Sequence, residues 1–335
     1  MQHIKILTCK GSVDYADAFQ GQINEEKHMN RFKSYSKPLN KMWFMALLLA
    51  AFVAGCGGGA EQGQILGGNT GPAIGDPGPA GPSPVLGILS PFGIASAGGM
   101  TNTGATKING NVVLDPNQTC NAVVVGAGDD FGPCGGNPLN VPTHNAGDTV
   151  ITQIHPDTTT ADAVMAVLLA KWNSISPAGR PGATILGCGT IGSAGGAGVG
   201  IGCNLNSTLP PGAYISATNS TIGVTGDLTL DAGGNADAVW VFQAPSALDT
   251  ATSSRILLTG GAKASNVWWF VGSSATLLAG TTFQGNILAS ASISMQVGAT
   301  SCGRLLAGAE GAGTFAFLAN TVSVPGHPNA PVGCQ

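Results

Sequence analysis

Between Pro91 and the C-terminus, apolar residues come in short bursts and never in long runs. GDLTLD (226–231), AVWVFQ (238–243), RILLT (255–259), VWWFV (267–271) and GNILA (285–289) are rich in aliphatic and aromatic residues and are separated by Gly-containing turns. Bursts this short predict strands, because a helix needs a longer segment to bury a face. Their spacing suits a coil with a few strands per turn.

One segment has a different period. Ala161, Val164, Met165, Leu168, Leu169 and Trp172 fall at i, i+3, i+4, i+7, i+8 and i+11, a single apolar stripe that predicts a helix over about 160–175. Thr158, Thr159 and Thr160 offer capping hydroxyls, Asp162 supplies negative charge to the first turn, and Pro177 and Gly179 end the helix. A helix with one apolar stripe should lie against the wall of the coil. Its single basic residue, Lys171, argues against a membrane-surface role.

Repetition supports the coil. Gly280-Thr-Thr-Phe-Gln-Gly285-Asn-Ile-Leu288 matches Gly298-Ala-Thr-Ser-Cys-Gly303-Arg-Leu-Leu306 across 18 residues. A distant copy, Gly104-Ala-Thr-Lys-Ile-Asn-Gly110-Asn-Val-Val113, carries one extra residue. A unit that cannot bury its own apolar face signals stacking. The distant copy predicts that the N-terminal part of the domain completes the same solenoid, with an excursion between. The expected class is all-β, a solenoid with one flanking α-helix.

The N-terminal quarter reads differently. Residues 42–54 (MWFMALLLAAFVA) form an apolar run behind Arg31, Lys33, Lys37 and Lys41, which is the charged-then-apolar order of an export signal. Thirteen residues fall short of the 18 or so of a spanning helix. The run ends in Val53-Ala54-Gly55-Cys56, which resembles a bacterial lipoprotein lipobox; the resemblance implies a lipid on Cys56 and a mature N-terminus there. Residues 1–28 then read as an over-extended N-terminus before Met29, 29–55 as the signal peptide, 56–90 as a Gly/Pro-rich tether, and 91–335 as the folded domain. Gly57, where inner-membrane retention in the lipoprotein pattern would use Asp, points to the outer membrane or cell surface.

Composition narrows the function. Only 9% of residues are charged, the formal net charge is −4, and no basic block follows Lys41, which excludes nucleic acid as a partner. Polysaccharide-cleaving β-helices would need carboxylates and cations clustered along one groove, and these are scattered. Asp227, Asp231, Asp237 and Asp249 are close in sequence and are expected in turns, where turn formation competes with calcium binding as their reading. Gly198-Val-Gly-Ile-Gly202 lacks the following helix that a nucleotide loop requires. His144, His155 and His327 are isolated, and no nucleophile elbow or zinc-protease motif is present. The sequence therefore predicts no enzyme, no cofactor, no metal ion and no small-molecule substrate.

Six cysteines, Cys120, Cys134, Cys188, Cys203, Cys302 and Cys334, remain for an exported domain, and an even number implies disulfides with 15 possible connectivities. Local pairing is favoured: Cys120 with Cys134, Cys188 with Cys203, and Cys302 with Cys334. Zinc is the competing reading, but it lacks the ligand spacing.

Residues Ala95 to Val324 resemble the microbial ice-binding-protein family. The resemblance rests on Leu209-Pro-Pro-Gly-Ala-Tyr214, Gly226-Asp-Leu-Thr-Leu-Asp231, Asp237-Ala-Val-Trp-Val-Phe-Gln243, Leu248-Asp-Thr-Ala-Thr252, Asn266–Thr276 and Gly280–Ala289, with Asn102–Thr106 and Ile154-His155 upstream. It implies a discontinuous right-handed β-solenoid of triangular cross-section with one flanking helix. It also implies a flat, often Thr-rich face that meets ice without catalysis. Outward Thr and Ser can order water through both methyl and hydroxyl, and low charge leaves that layer undisturbed. The candidates are Thr103, Thr106, Thr250, Thr252, Thr276, Thr281, Thr282, Ser292, Ser294 and Thr300. The insertions near 115–147 and 187–204, Cys302 in a turn position, and the lack of a regular Thr-x-Thr array depart from the family pattern. The expected partners are an ice surface and, through the lipid, a membrane. An adhesin or glycan-binding module without ice activity is the second class.

Overall fold

The computed structural model describes residues 80–115, 143–144, 150–152, 158–197, 200–217 and 220–335. Cys56, Cys120, Cys134 and His155 lie outside them, as do the signal peptide and most of the tether. Among the described residues, twenty-four strands form three parallel sheets of nine, seven and eight strands, here A, B and C, and from Thr184 to Ser323 each turn of chain contributes one strand to each sheet. Gly212–Ile215, Ile222–Val224 and Asp227–Asp231 make one such coil, with Trp240–Ala244, Leu248–Thr250 and Arg255–Thr259 stacked on it in register. Arg255–Thr259 and Val267–Val271 have the bounds that the apolar bursts predict.

The solenoid is discontinuous in sequence. The coil of Leu305–Ala307, Thr314–Leu318 and Thr321–Ser323 carries on its free side the first coil of the domain, Phe92–Ser96, Gly99–Thr103 and Lys107–Asn109. Ile94 pairs with Leu305, Thr101 with Ala316 and Lys107 with Thr321. The 18-residue repeat is one coil: Thr282 lies beside Thr300, and Ile287 beside Leu305. Its second glycine marks the corner from sheet C to sheet A. Gly285 and Gly303 have φ of 112° and 150°, and a Cβ on Gly303 would collide with the Gly285 carbonyl oxygen.

Inside the triangle, one row of large residues stacks along the axis. Tyr214, Phe242 and Trp269 are register partners with ring centroids 5.4 Å and 4.0 Å apart, and Phe283 closes the row at 5.3 Å. Each such side chain, fully buried, contributes about 1.5–3 kcal/mol.

The α-helix, Thr158–Ile175, covers the outer face of sheet A and leaves that sheet buried on both sides. Ala161, Val164, Leu168 and Trp172 of the predicted stripe are buried against Val113, Val241, Trp268, Phe270 and Leu288. Trp172 Nε1 donates to the Val271 carbonyl at 3.0 Å, and its ring lies 4.7 Å from that of Phe270. Leu169 of the stripe is instead exposed, and Ile175, outside it, is buried. Thr158, Thr159 and Thr160 are the first helical residues and not the cap, so Asp162 stands a turn further in.

The boundary expected at 90/91 moves upstream. Leu89 is fully buried, Leu86 and Ala80 pack in the helix–sheet A cluster, and Trp268 Nε1 donates to Ser83 Oγ at 3.2 Å. Apolar residues at the end of a Gly/Pro-rich stretch have docked on available apolar surface. Arg304 secures this segment: its Nε and Nη2 donate to the Ser90 carbonyl at 3.0 and 2.6 Å, and Nη1 to Asn286 Oδ1 at 3.1 Å. Burial lowers the Arg304 pKa to about 10.

Candidate functional site

A three-sided solenoid offers three outer faces, and two of them are occupied. Sheet A lies beneath the helix and residues 80–90. Sheet C carries Lys107 and the Asp227–Arg255 pair on one outward row, in register with Thr282, Thr300 and Thr321. Arg255 Nε and Nη2 reach the two Asp227 oxygens at 2.8 and 2.6 Å, and this hydrogen bonding holds the Asp227 carboxyl below its ordinary pKa. The C-terminal tail also overlies sheet C. Pro331 to Cys334 wall a groove against Leu257, Thr282, Gln284 and Thr300, and Cys334 is bonded to Cys302 with Cα atoms 5.5 Å apart. A second disulfide, Cys188–Cys203 with Cα atoms 5.8 Å apart, lies at the far end of the solenoid.

Sheet B has no such cover among the described residues. Its strands alternate inward and outward, as Ile222-Gly223-Val224, Ala275-Thr276-Leu277 and Ile293-Ser294-Met295 illustrate. Parallel pairing in strict register then lines the outward residues into a straight row: Thr190, Gly223, Asp249, Thr276, Ser294, Ala316 and Thr101. Neighbouring rungs are about 4.8 Å apart. Thr314 and Ser292 flank the row on one side, joined hydroxyl to hydroxyl at 3.0 Å, while Leu318 and Thr103 flank it on the other. Thr103, Thr276 and Ser294 make no side-chain hydrogen bond to the described protein residues, so their hydroxyls face solvent.

The ten Thr and Ser candidates divide accordingly. Thr103, Thr276 and Ser294 lie on sheet B with Ser292 just before its strand Ile293–Met295, Thr282 and Thr300 lie on sheet C, and exposed Thr252 is in the turn after Leu248–Thr250. Thr106, Thr250 and Thr281 are a correction, being 1–2% exposed and inside corners. The Thr106 hydroxyl donates to Asn102 Oδ1 at 2.6 Å and accepts from the Asn320 N–H at 3.0 Å. A buried turn must satisfy its backbone groups internally, and short hydroxyl side chains do so. Thr101, Thr190, Thr314 and Ala316, outside that set of ten, are also on the open face. The signal for two of them is the alternation in Thr314-Phe-Ala-Phe-Leu318, whose burial is out-in-out-in-out.

Such a face is an irregular array of methyls and hydroxyls on a rigid scaffold, with Asp249 as the one ionised side chain in its central row. It suits ordered water or a flat crystalline surface better than an enclosed ligand. No group of three or more His, Cys, Asp or Glu that could hold a metal ion occurs among the described residues.

Residues 94–315 match the family model described as Ice-binding-like. An ice-binding protein of Nostoc sp. (strain HG1) is 34% identical over 224 residues, which are 67% of this chain and 68% of that one. With an ice-binding protein of Flavobacterium frigoris (strain PS1) the identity is 34% over 140 residues, 42% of this chain and 43% of that protein, so the match spans under half of that relative. Among solved structures, an ice-binding protein from the Antarctic ascomycete Antarctomyces psychrotrophicus is similar, with a TM-score of 0.51 and 31% identity. The alignment covers 72% of this chain and 98% of that one.

Proposed function

The chain belongs to the Ice-binding-like family, and from that premise we propose that it binds ice, through the outward face of sheet B. The observation that carries this reading is the state of the three faces: the helix takes one and the tail with its charges takes another. Among the described residues, only sheet B offers an uncovered stretch of small hydroxyl and methyl groups in register, from Thr276 to Thr101. Groups at a regular spacing on rigid strands immobilise water without losing conformational entropy of their own. The protein does this by contact and without catalysis, so no cofactor enters.

The test is thermal hysteresis together with inhibition of ice recrystallisation by the purified protein. Activity is expected, and none at high protein concentration would point to an adhesin or glycan-binding module.

The reading extends to location. A lipid on Cys56 would hold the protein in the cell envelope, with the Gly/Pro-rich tether as spacer. A cell so equipped would fix itself to ice or shield its own surface. Mass measurement of the mature N-terminus from expressing cells is expected to give an acylated Cys56, and a mature chain retaining residues before Cys56 would remove the anchor.

A further inference from the structure

The central row of sheet B is not uniform. From Thr276 through Ser294 and Ala316 to Thr101 it carries small neutral side chains, whereas the next two rungs are Asp249 and Gly223. Asp249 is exposed, and among the described residues no cation or hydrogen-bond donor pairs with its carboxylate. On sheet C, by contrast, Asp227 is neutralised by Arg255. Gly223 brings no side chain of its own to the row, and beside it lies an open depression of about 480 Å³ lined by Thr190, Thr221, Thr225 and Asp249 among others. The row thus changes at a single step, from Thr276 to Asp249, from level and neutral to charged and indented.

We infer that Asp249 limits the ice contact, confining it to the part of sheet B from Thr276 to Thr101. The inference rests on sheet B being the ice face. An unpaired carboxylate holds its hydration water tightly and orients it on its own charge, and stripping that shell or reorganising it into a crystal lattice is costly. The indentation beside it removes the methyl and hydroxyl that would continue the lattice of contacts. Asp249 is therefore a residue that sets the strength of binding from the edge of the contact.

Replacement of Asp249 by Thr and by Asn in the full chain, with Ser294→Tyr as reference, tests this. The readouts are thermal hysteresis and the fraction of protein taken up into a growing ice shell, with thermal unfolding as a check that each variant folds. Asp249→Thr is expected to raise the bound fraction about threefold or more, and Asp249→Asn to raise it less, since it removes charge but adds no methyl. A folded Asp249→Thr variant with unchanged or reduced activity overturns the inference. Loss of activity in Ser294→Tyr distinguishes that result from failure of the sheet B reading, in which Ser294→Tyr would leave activity intact. Gly223→Ala serves as a second variant: its Cβ would sit 3.1 Å from Thr190 Oγ1 and 3.3 Å from Thr190 Cγ2, a tight contact, so thermal unfolding is checked for this variant as well. A fall in its ice uptake, with folding intact, counts equally against the inference.

Discussion

Thr250 and Thr281 turn their hydroxyls toward each other at 2.8 Å, inside the corner where sheet B gives way to sheet C. The Thr250 oxygen also accepts from the Leu278 N–H at 3.0 Å. Two side chains that look like surface threonines in the sequence are thereby part of the internal wiring of consecutive coils.

Removing either hydroxyl is expected to cost stability and not ice activity. Thr250→Val or Thr281→Val leaves a buried partner without its hydrogen bond, at about 1–3 kcal/mol. The unfolding midpoint should fall by several degrees while thermal hysteresis measured near 0 °C stays near that of the parent. Selective loss of ice activity with an unchanged midpoint would contradict the corner assignment.

On the open face the order of effects reverses. Ser294→Tyr and Thr101→Tyr place a bulky ring on the straight row and should lower ice affinity about tenfold, equivalent to 1.4 kcal/mol, with little change in stability. Thr300→Tyr on sheet C should leave ice activity in place, because that face is already interrupted by the tail and by charge. Thermal hysteresis against concentration, compared across the three variants, decides between faces.

Arg304 joins the segment before the first coil to the solenoid through Ser90 and Asn286. Arg304→Met keeps the bulk of the side chain but leaves the Ser90 carbonyl and Asn286 Oδ1 without these donors, so a loss of about 2–4 kcal/mol is expected. Hydrogen exchange should rise first at residues 86–92, ahead of the central coils.

The Cys302–Cys334 bond closes a separation of 32 residues, worth about 3–4 kcal/mol in the chain-entropy model. A double change to Ser is expected to lower the unfolding midpoint and to expose the tail after Val324 to limited proteolysis. Ice activity, carried on another face, should survive at low temperature.

Much of this protein is legible before it folds. Apolar bursts of five or six residues, the 18-residue repeat and the i, i+3, i+4 stripe are local patterns, and they predict strands, stacking and the helix because side-chain period follows backbone geometry directly. The family resemblance likewise rests on contiguous motifs. Apart from Thr314, whose strand alternates plainly, it was tertiary structure that decided which threonines face outward. Thr276 and Thr250 both belong to three-residue strands of sheet B, yet one is on the open face and the other turns inward, since Thr276 pairs with outward Asp249 and Thr250 with inward Leu277. Burial of sheet A, cover of sheet C by the tail, and the break between Thr276 and Asp249 arise from register between coils that are distant in sequence. A chain read in one dimension carries the rungs of that ladder but not the column into which stacking sorts them.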